Sequence, residues 1–424
     1  MRPLYELTAA EAAGAIADGT ITSEALVQAC LERIDSREST VGAWTYLDPD
    51  HALAQARACD RRAGNGVLHG VPVGIKDIID TCDMPTGYGS PIYANHQTAW
   101  DAACVALLRA AGAVILGKTV STEFAMFTPG KTANPHNPAH TPGGSSSGSA
   151  AAVADCMVPL ALGSQTAGSI IRPASFCGVV GYKPTHGEFP VAGIKALSQT
   201  LDTLGGFARS VDDLTLLRAT LVGSPSRLTP LDRPPQIGLC RTPQWPHATA
   251  ATHEAIEHAG RVLTAAGAEV RDFDLPEGFE QLAAAQEAIQ IFEGARCCAY
   301  ELYAHREQLS PKLLDLLDAA EYLPYEAYAE AIALSDTCRN QLEALFTDHD
   351  VLLVPSAPGE APAGLGATGN PIFNRMWTLL HTPAVNLPGL TGPNGLPVGV
   401  QVIGPIGADD RLLSVAAWMH ARLV

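Results

Sequence analysis

Residues 128–149 are dominated by Pro, Asn, Gly and Ser, yet an Ala/Val-rich stretch (150–155) and an apolar run (157–162) follow with no spacer. Taken alone, the segment resembles a flexible linker. A second Gly-rich stretch (163–169), a helical segment and Val179-Val180 come next. Gly/Ser-rich residues wedged so closely between core elements read as shaped loops that enter a core. Upstream, residues 100–112 read as a helix and Ala113 to Leu116 as a short buried strand. Such alternation points to an α/β sheet.

The flanking regions fit the same class. Residues 7–36 read as two helices separated at Gly19, with Thr8 and Glu11 spaced as a capping box and Leu26, Cys30 and Ile34 at helical spacing. Residues 50–63 are helical, and Val67 to Ile79 reads as strand and loop. The chain is Pro-rich around 222–235, the best candidate boundary. Long helices are expected at 252–266, 279–305 and 311–345, with a strand near 268–273. The sheet resumes at Val351 to Val354, and residues 384–390 and 396–404 suggest a hairpin across Asn394-Gly395. No internal repeat is evident.

Composition removes several function classes. Hydrophobic residues make up 47% of the 424 and charged residues 17%, which excludes global disorder. The formal charge of −17 repels phosphate backbones and anionic lipid, so neither nucleic acid nor a membrane surface is an expected partner. The longest charge-free run, Met376 to Ala408, holds five prolines and cannot be a membrane helix. The ten cysteines include no C-x-x-C pair and read as free, mostly buried thiols. With no apolar signal core at the N-terminus, the expectation is a cytoplasmic protein.

Two motif matches fail on context. Gly112 to Thr119 fits G-x-x-x-x-G-K-[ST], but the gap Ala-Val-Ile-Leu wants to be a buried strand, and Lys118 reads as a loop residue at a strand end. Gly144 to Gly148 fits G-x-S-x-G, but Asn137 to Gly143 cannot be the strand that must feed such an elbow. His136 and His140 lie in a Pro-rich loop, which argues against a metal site on a helix face. Asp77 and Asp80 read as holding backbone or a structural cation rather than as catalytic.

A three-part constellation remains: Gly70-Val-Pro-Val-Gly-Ile-Lys76-Asp77, then Pro142-Gly-Gly-Ser145-Ser-Ser-Gly-Ser149, then Gly163-Ser-Gln-Thr-Ala-Gly-Ser169-Ile-Ile-Arg172-Pro running on to Gly-Tyr-Lys183-Pro-Thr. In this order, from about Gly70 to Thr185, it resembles the amidase signature family. A weaker likeness covers Val351–Pro405, and residues 236–345 carry little signal. The resemblance implies one domain over 1–424: N-terminal helices (1–66), a signature core (67–222), a variable helical part (223–350) and a C-terminal return to the sheet (351–424). The implied fold is α/β, a central mixed twisted sheet covered by helices on both faces.

The resemblance also implies a Ser-Ser-Lys triad that cleaves amide bonds. Ser169 would be the acylated nucleophile, Ser145 the bridging serine on a cis peptide after Gly144, and Lys76 the base. Lysine serves as a base only when neutral, so burial near Val73, Ile75 and Ile78 must lower a pKa that is ordinarily about 10.4. The N–H groups of Thr166, Ala167, Gly168 and Ser169 would form the oxyanion hole, with a helix beginning near Ser169. No metal or cofactor is needed. Gln165 replaces a carboxylate that orders this loop in many members, which puts that support in doubt.

Arg172 could grip a substrate carboxylate or pair with a structural one. The order around it is similar to bacterial small-molecule members of the malonamidase type, as is Gly369 to Thr378. Asn374 and Arg375 are candidate pocket residues, while Phe373 and Trp377 could equally be core. The expected enzyme is a homodimeric hydrolase of a small acidic or polar amide, malonamate-like. The rivals are an aryl, indole-acetamide or ureide amidase, a glutamyl-tRNA amidotransferase A subunit with partner subunits and an ammonia route, and an inactive binding protein on the same fold.

Overall fold

The computed structural model describes residues 2–62, 64 and 66–424. Among them, eleven strands form one mixed sheet. In chain order they are β1 (Trp44–Leu47), β2 (Pro72–Lys76), β3 (Val114–Thr119), β4 (Leu160–Gln165), β5 (Val180–Lys183), β6 (Thr203–Ala208), β7 (Gln236–Leu239), β8 (Glu269–Asp272), β9 (Val351–Pro355), β10 (Ala384–Thr391) and β11 (Pro397–Ile403). Across the sheet the order is β1-β3-β2-β4-β6-β5-β10-β11-β9-β7-β8. β2 runs parallel to both β3 and β4, so its C-terminal end opens beside theirs. Every residue of β2, β3, β4 and β6 is buried. Side chains alternate between the two faces of a strand, so burial at every position means that both faces are covered by helices.

Local chemistry explains most element ends. Thr8 and Glu11 form the expected capping box ahead of the helix Ala9–Ala17. The expected helix at 311–345 is broken. Pro324, in extended geometry, ends one segment and caps the helix Tyr325–Asn340, because proline lacks the N–H and the freedom to continue a helix. The run expected at 279–305 likewise divides at Cys298 into Leu282–Cys297 and Ala299–Ala304.

β1, β6 and β7 went unread in the sequence, and the strand expected at 157–162 lies at Leu160–Gln165. The Pro-rich stretch around 222–235 does not end the sheet, since β7 and β8 rejoin it through β9. Lys118 is not a loop residue. It lies inside β3, fully buried, and donates to Ile79 O at 2.8 Å and Thr86 Oγ1 at 2.6 Å. Asp77 accepts from Gly87 N and lies 3.4 Å from the Lys118 ammonium, which gives that aspartate a structural task. Among the described residues, no helix is long and apolar enough to cross a membrane.

Candidate active site

Three chain segments meet where β2 and β4 end. Lys76 is the last residue of β2 and is fully buried, with Val73 and Ile75 of the same strand equally inaccessible. Its Nζ lies 2.6 Å from Ser145 Oγ and 2.9 Å from Ser164 Oγ. Burial disfavours the ammonium form and lowers the Lys76 pKa to about 7, against the opposing pull of the Asp202 carboxylate. The amine is therefore neutral in an appreciable fraction of molecules near neutral pH.

Ser145 follows a cis peptide bond from Gly144, just ahead of the helix Ser147–Ala154. Arg172 Nη2 donates to Gly144 O at 2.7 Å, and Ser146 Oγ donates to Ser164 O at 3.2 Å. The two Gly/Ser-rich loops are thereby stitched together, although they are separate in sequence.

The loop after β4 is framed by its carbonyls. Gln286 Nε2 donates to Thr166 O at 2.8 Å, Thr378 Oγ1 donates to Ala167 O at 2.8 Å, and Arg172 N donates to Gly168 O at 3.0 Å. In a trans peptide the N–H points opposite to the preceding carbonyl. With each oxygen anchored, the N–H groups of Ala167, Gly168 and Ser169 each point away from the donor that holds the preceding carbonyl. Among the described residues, none of these three has a protein acceptor. Thr166 is also tied by its side chain: its hydroxyl donates to the half-buried Asp202 at 2.6 Å and pins the loop where it leaves β4.

The doubt about Gln165 is answered by its contacts. Its Oε1 accepts from Ile170 N (2.9 Å) and Ile171 N (3.0 Å), and its Nε2 donates to Thr378 Oγ1 at 2.9 Å. The amide orders the loop without a carboxylate. It also caps the following helix, which begins at Ile171, two residues past Ser169.

Gly168 is small for a visible reason. A Cβ there would stand 2.4 Å from Asn374 Oδ1 and 3.0 Å from Pro371 Cβ. Asn374 cannot step aside freely, since its Nδ2 donates to Ser356 O at 3.0 Å. Gly168→Ala should therefore displace the loop and lower kcat by roughly ten- to a hundredfold. Steady-state kinetics with a thermal melt check this; wild-type kcat would mean that Asn374 yields.

Ser169 is 8% exposed, and among the described residues its Oγ has no hydrogen-bond partner. The Lys76–Ser145 contact of the expected relay is thus formed, whereas no Ser145–Ser169 hydrogen bond is present.

Arg172 is 3% exposed and faces no internal carboxylate among the described residues. Its Nη2 holds Gly144 O and Thr368 Oγ1 (3.2 Å), while Nε and Nη1 are buried without a partner. Burial, with the Arg375 guanidinium adding to it, lowers its pKa to about 9, so it is still a cation at neutral pH. Arg375 donates to Gln286 Oε1 and to Glu287 Oε1, the latter at 3.4 Å. Asn374 Oδ1 is buried and unpartnered. Phe373 and Trp377 are fully buried core residues.

A mostly apolar cavity of about 200 Å³ lies alongside, with Ile78, Val191 and Leu204 on one part of its wall and Ser164, Thr166 and Asp202 on another. Ser164, Asp202 and Gln286 were missed as site residues in the sequence: Ser164 lies inside the third motif but was given no role, and Asp202 and Gln286 belong to no spaced motif. Cys82, Asp83 and Asp101 bring ligand-type atoms within 4.8 Å of one another, but Arg109 holds both carboxylates. His136 and His140 each bond a backbone carbonyl.

Comparison with known proteins agrees with this geometry. The family model Amidase matches residues 25–413. The A subunit of glutamyl-tRNA(Gln) amidotransferase from Chloroflexus aurantiacus is 35% identical over 479 aligned residues, covering 98% of this chain and 96% of that protein. A solved amidase structure is 31% identical with a TM-score of 0.90, covering 99% of this chain and 100% of the other. The peptide amidase from Stenotrophomonas maltophilia is 29% identical with a TM-score of 0.84, covering 99% and 98%.

Proposed function

Since the chain belongs to the amidase signature family and is an enzyme acting on amide C–N bonds, we propose that it is an acyl-enzyme hydrolase of a small amide bearing a carboxylate. Neutral Lys76 takes the Ser145 proton as Ser145 takes that of Ser169. The Ser169 oxygen then attacks the amide carbon, and the N–H groups of Ala167, Gly168 and Ser169 hold the oxyanion. The proton returns along the same path to the leaving amine. Water repeats the sequence on the ester, releasing the acid and free Ser169.

One observation carries the choice of substrate. A buried guanidinium, three residues past the nucleophile, has two nitrogens unpartnered and no internal carboxylate among the described residues. A substrate carboxylate would supply the missing acceptors. Arg172 also holds Gly144 O, so Arg172→Ala should slow every substrate somewhat. Its signature is the ratio. Preference for an acidic amide over its neutral analogue should drop about ten- to a hundredfold, the worth of a charged hydrogen bond or two. Equal losses on both would make Arg172 purely structural.

A second reading, an amidotransferase A subunit, is favoured by the 35% identity and near-complete coverage of the curated relative. That alignment is longer than this chain of 424 residues, so the relative carries segments that this chain lacks. Both readings use the same nucleophile and differ in partners and in the fate of the amine. Purification at native abundance separates them. A single chain or homodimer that releases ammonia supports the first, and stoichiometric partner subunits support the second. Ten free thiols suit a reducing, cytoplasmic setting.

A further inference from the structure

Gln286 lies in the helix Leu282–Cys297, inside the stretch with little motif signal, and is fully buried. Its side chain touches two parts of the site at once. Nε2 donates to Thr166 O at 2.8 Å and to Gln290 Oε1 at 3.1 Å, while Oε1 accepts from Arg375 Nη1. The orientation of this amide is unambiguous, because a guanidinium can only donate and a carbonyl can only accept.

Each end has a consequence. The hold on Thr166 O fixes the plane of the peptide that carries the Ala167 N–H, one of the proposed oxyanion donors. The hold on Arg375 fixes one of the two guanidinium groups near the acyl site, and that guanidinium is mostly buried. The second Arg375 contact, Glu287, is a longer one to a largely exposed carboxylate, so Gln286 is its principal anchor.

We infer that Gln286 is a positioning residue that couples recognition of the substrate's carboxylate to the geometry of the oxyanion hole. This rests on the reading of Arg172 as a carboxylate contact and extends it to Arg375, whose guanidinium lies near enough to act on that of Arg172. A carboxylate that draws on Arg375 pulls through one rigid amide on the peptide that supplies an oxyanion donor. Acidic substrates thereby gain in kcat as well as in binding, and the variable helical region becomes a determinant of specificity.

Two substitutions test it, each scored on a carboxylate-bearing amide and on its neutral analogue. Gln286→Met is close in length and removes both contacts. It should lower kcat on the neutral amide roughly ten- to a hundredfold with KM nearly unchanged, and should also raise KM for the acidic amide. Gln286→Glu keeps an acceptor for Arg375 but has no donor for Thr166 O, and should show the same fall in kcat on the neutral amide. It also decides the question if Gln286→Met does not fold.

A folded variant with kcat within twofold of wild type on the neutral amide overturns the inference. So does a wild-type preference for the acidic substrate that persists unchanged in both variants. Wild-type enzyme that handles acidic and neutral amides alike overturns the substrate reading beneath it instead, and the coupling with it.

Discussion

Ser169→Ala should leave a folded protein whose amide turnover is lower by about four or more orders of magnitude, with no covalent intermediate. The fold should tolerate the change, because Ser169 Oγ has no hydrogen-bond partner among the described residues and its loss orphans nothing. The oxyanion donors should persist as well, since alanine keeps the N–H and the carbonyls of residues 166–168 stay anchored by Gln286, Thr378 and Arg172 N. What disappears is the nucleophile. Intact mass after a serine-directed acylating or phosphonylating reagent gives the readout: one adduct on wild type and none on the variant. Other serines crowd the site, so the result discriminates. Ser146, Ser147 and Ser149 each donate to a backbone carbonyl, at 3.2, 3.3 and 2.8 Å, and Ser145 is engaged by Lys76. An adduct that persists at any of these would move the nucleophile away from residue 169.

The proposed triad was legible in the sequence for a physical reason. Lys76, Ser145 and Ser169 sit in three stretches whose Gly, Ser and Pro content is unusual beside strands, and backbone chemistry of that kind leaves a local imprint. Some strands were readable because runs such as Val351 to Val354 are apolar on both faces, as a buried sheet demands. Contacts made by ordinary residues at long range left no such imprint. Gln286 is one polar residue on a helix, and only the fold brings its amide to Thr166 O, 120 positions away. Asp202 and Thr378 support the oxyanion loop in the same silent way. Lys118 misled in the other direction: a lysine in an apolar strand reads as an end, yet Asp77, Thr86 and Ile79 O give the buried ammonium its partners. The weight of Gln165 was likewise invisible, because its departure from the family pattern suggested a lost contact and the fold supplied two N–H donors and a hydroxyl instead.

Replacing Lys76 by Met should reduce kcat/KM by about a thousandfold or more and remove its pH dependence below neutrality. In wild type, burial puts the Lys76 pKa at about 7, and only the neutral amine can accept the serine proton. Activity should therefore rise with pH, about tenfold per unit below pH 7, and level off above it. The same shift governs stability, with a definite sign. The folded pKa lies below the unfolded value of about 10.4, so between about 7 and 10.4 the unfolded chain binds more protons and wild-type stability climbs with pH. Below 7 both states are protonated, and the penalty for the buried ammonium is complete and constant. Lys183 and Lys118, buried with pKa values lowered to about 7 and about 8, climb in the same direction, so the wild-type curve alone does not isolate Lys76. The difference between wild type and Lys76→Met does, because those two lysines are common to both. That difference should grow in favour of wild type by about 1.4 kcal/mol per unit above pH 7 and stay flat below it. Its absolute offset is a separate matter, since methionine also leaves Ser145 and Ser164 without their amine partner, at about 1–3 kcal/mol for each buried hydroxyl. Denaturant titrations of both proteins at several pH values, run beside pH–rate profiles, measure the two slopes together. A flat wild-type rate profile, or near-full activity in Lys76→Met, would take the lysine out of the mechanism. A pH-independent stability difference would show that its amine remains charged in the folded enzyme.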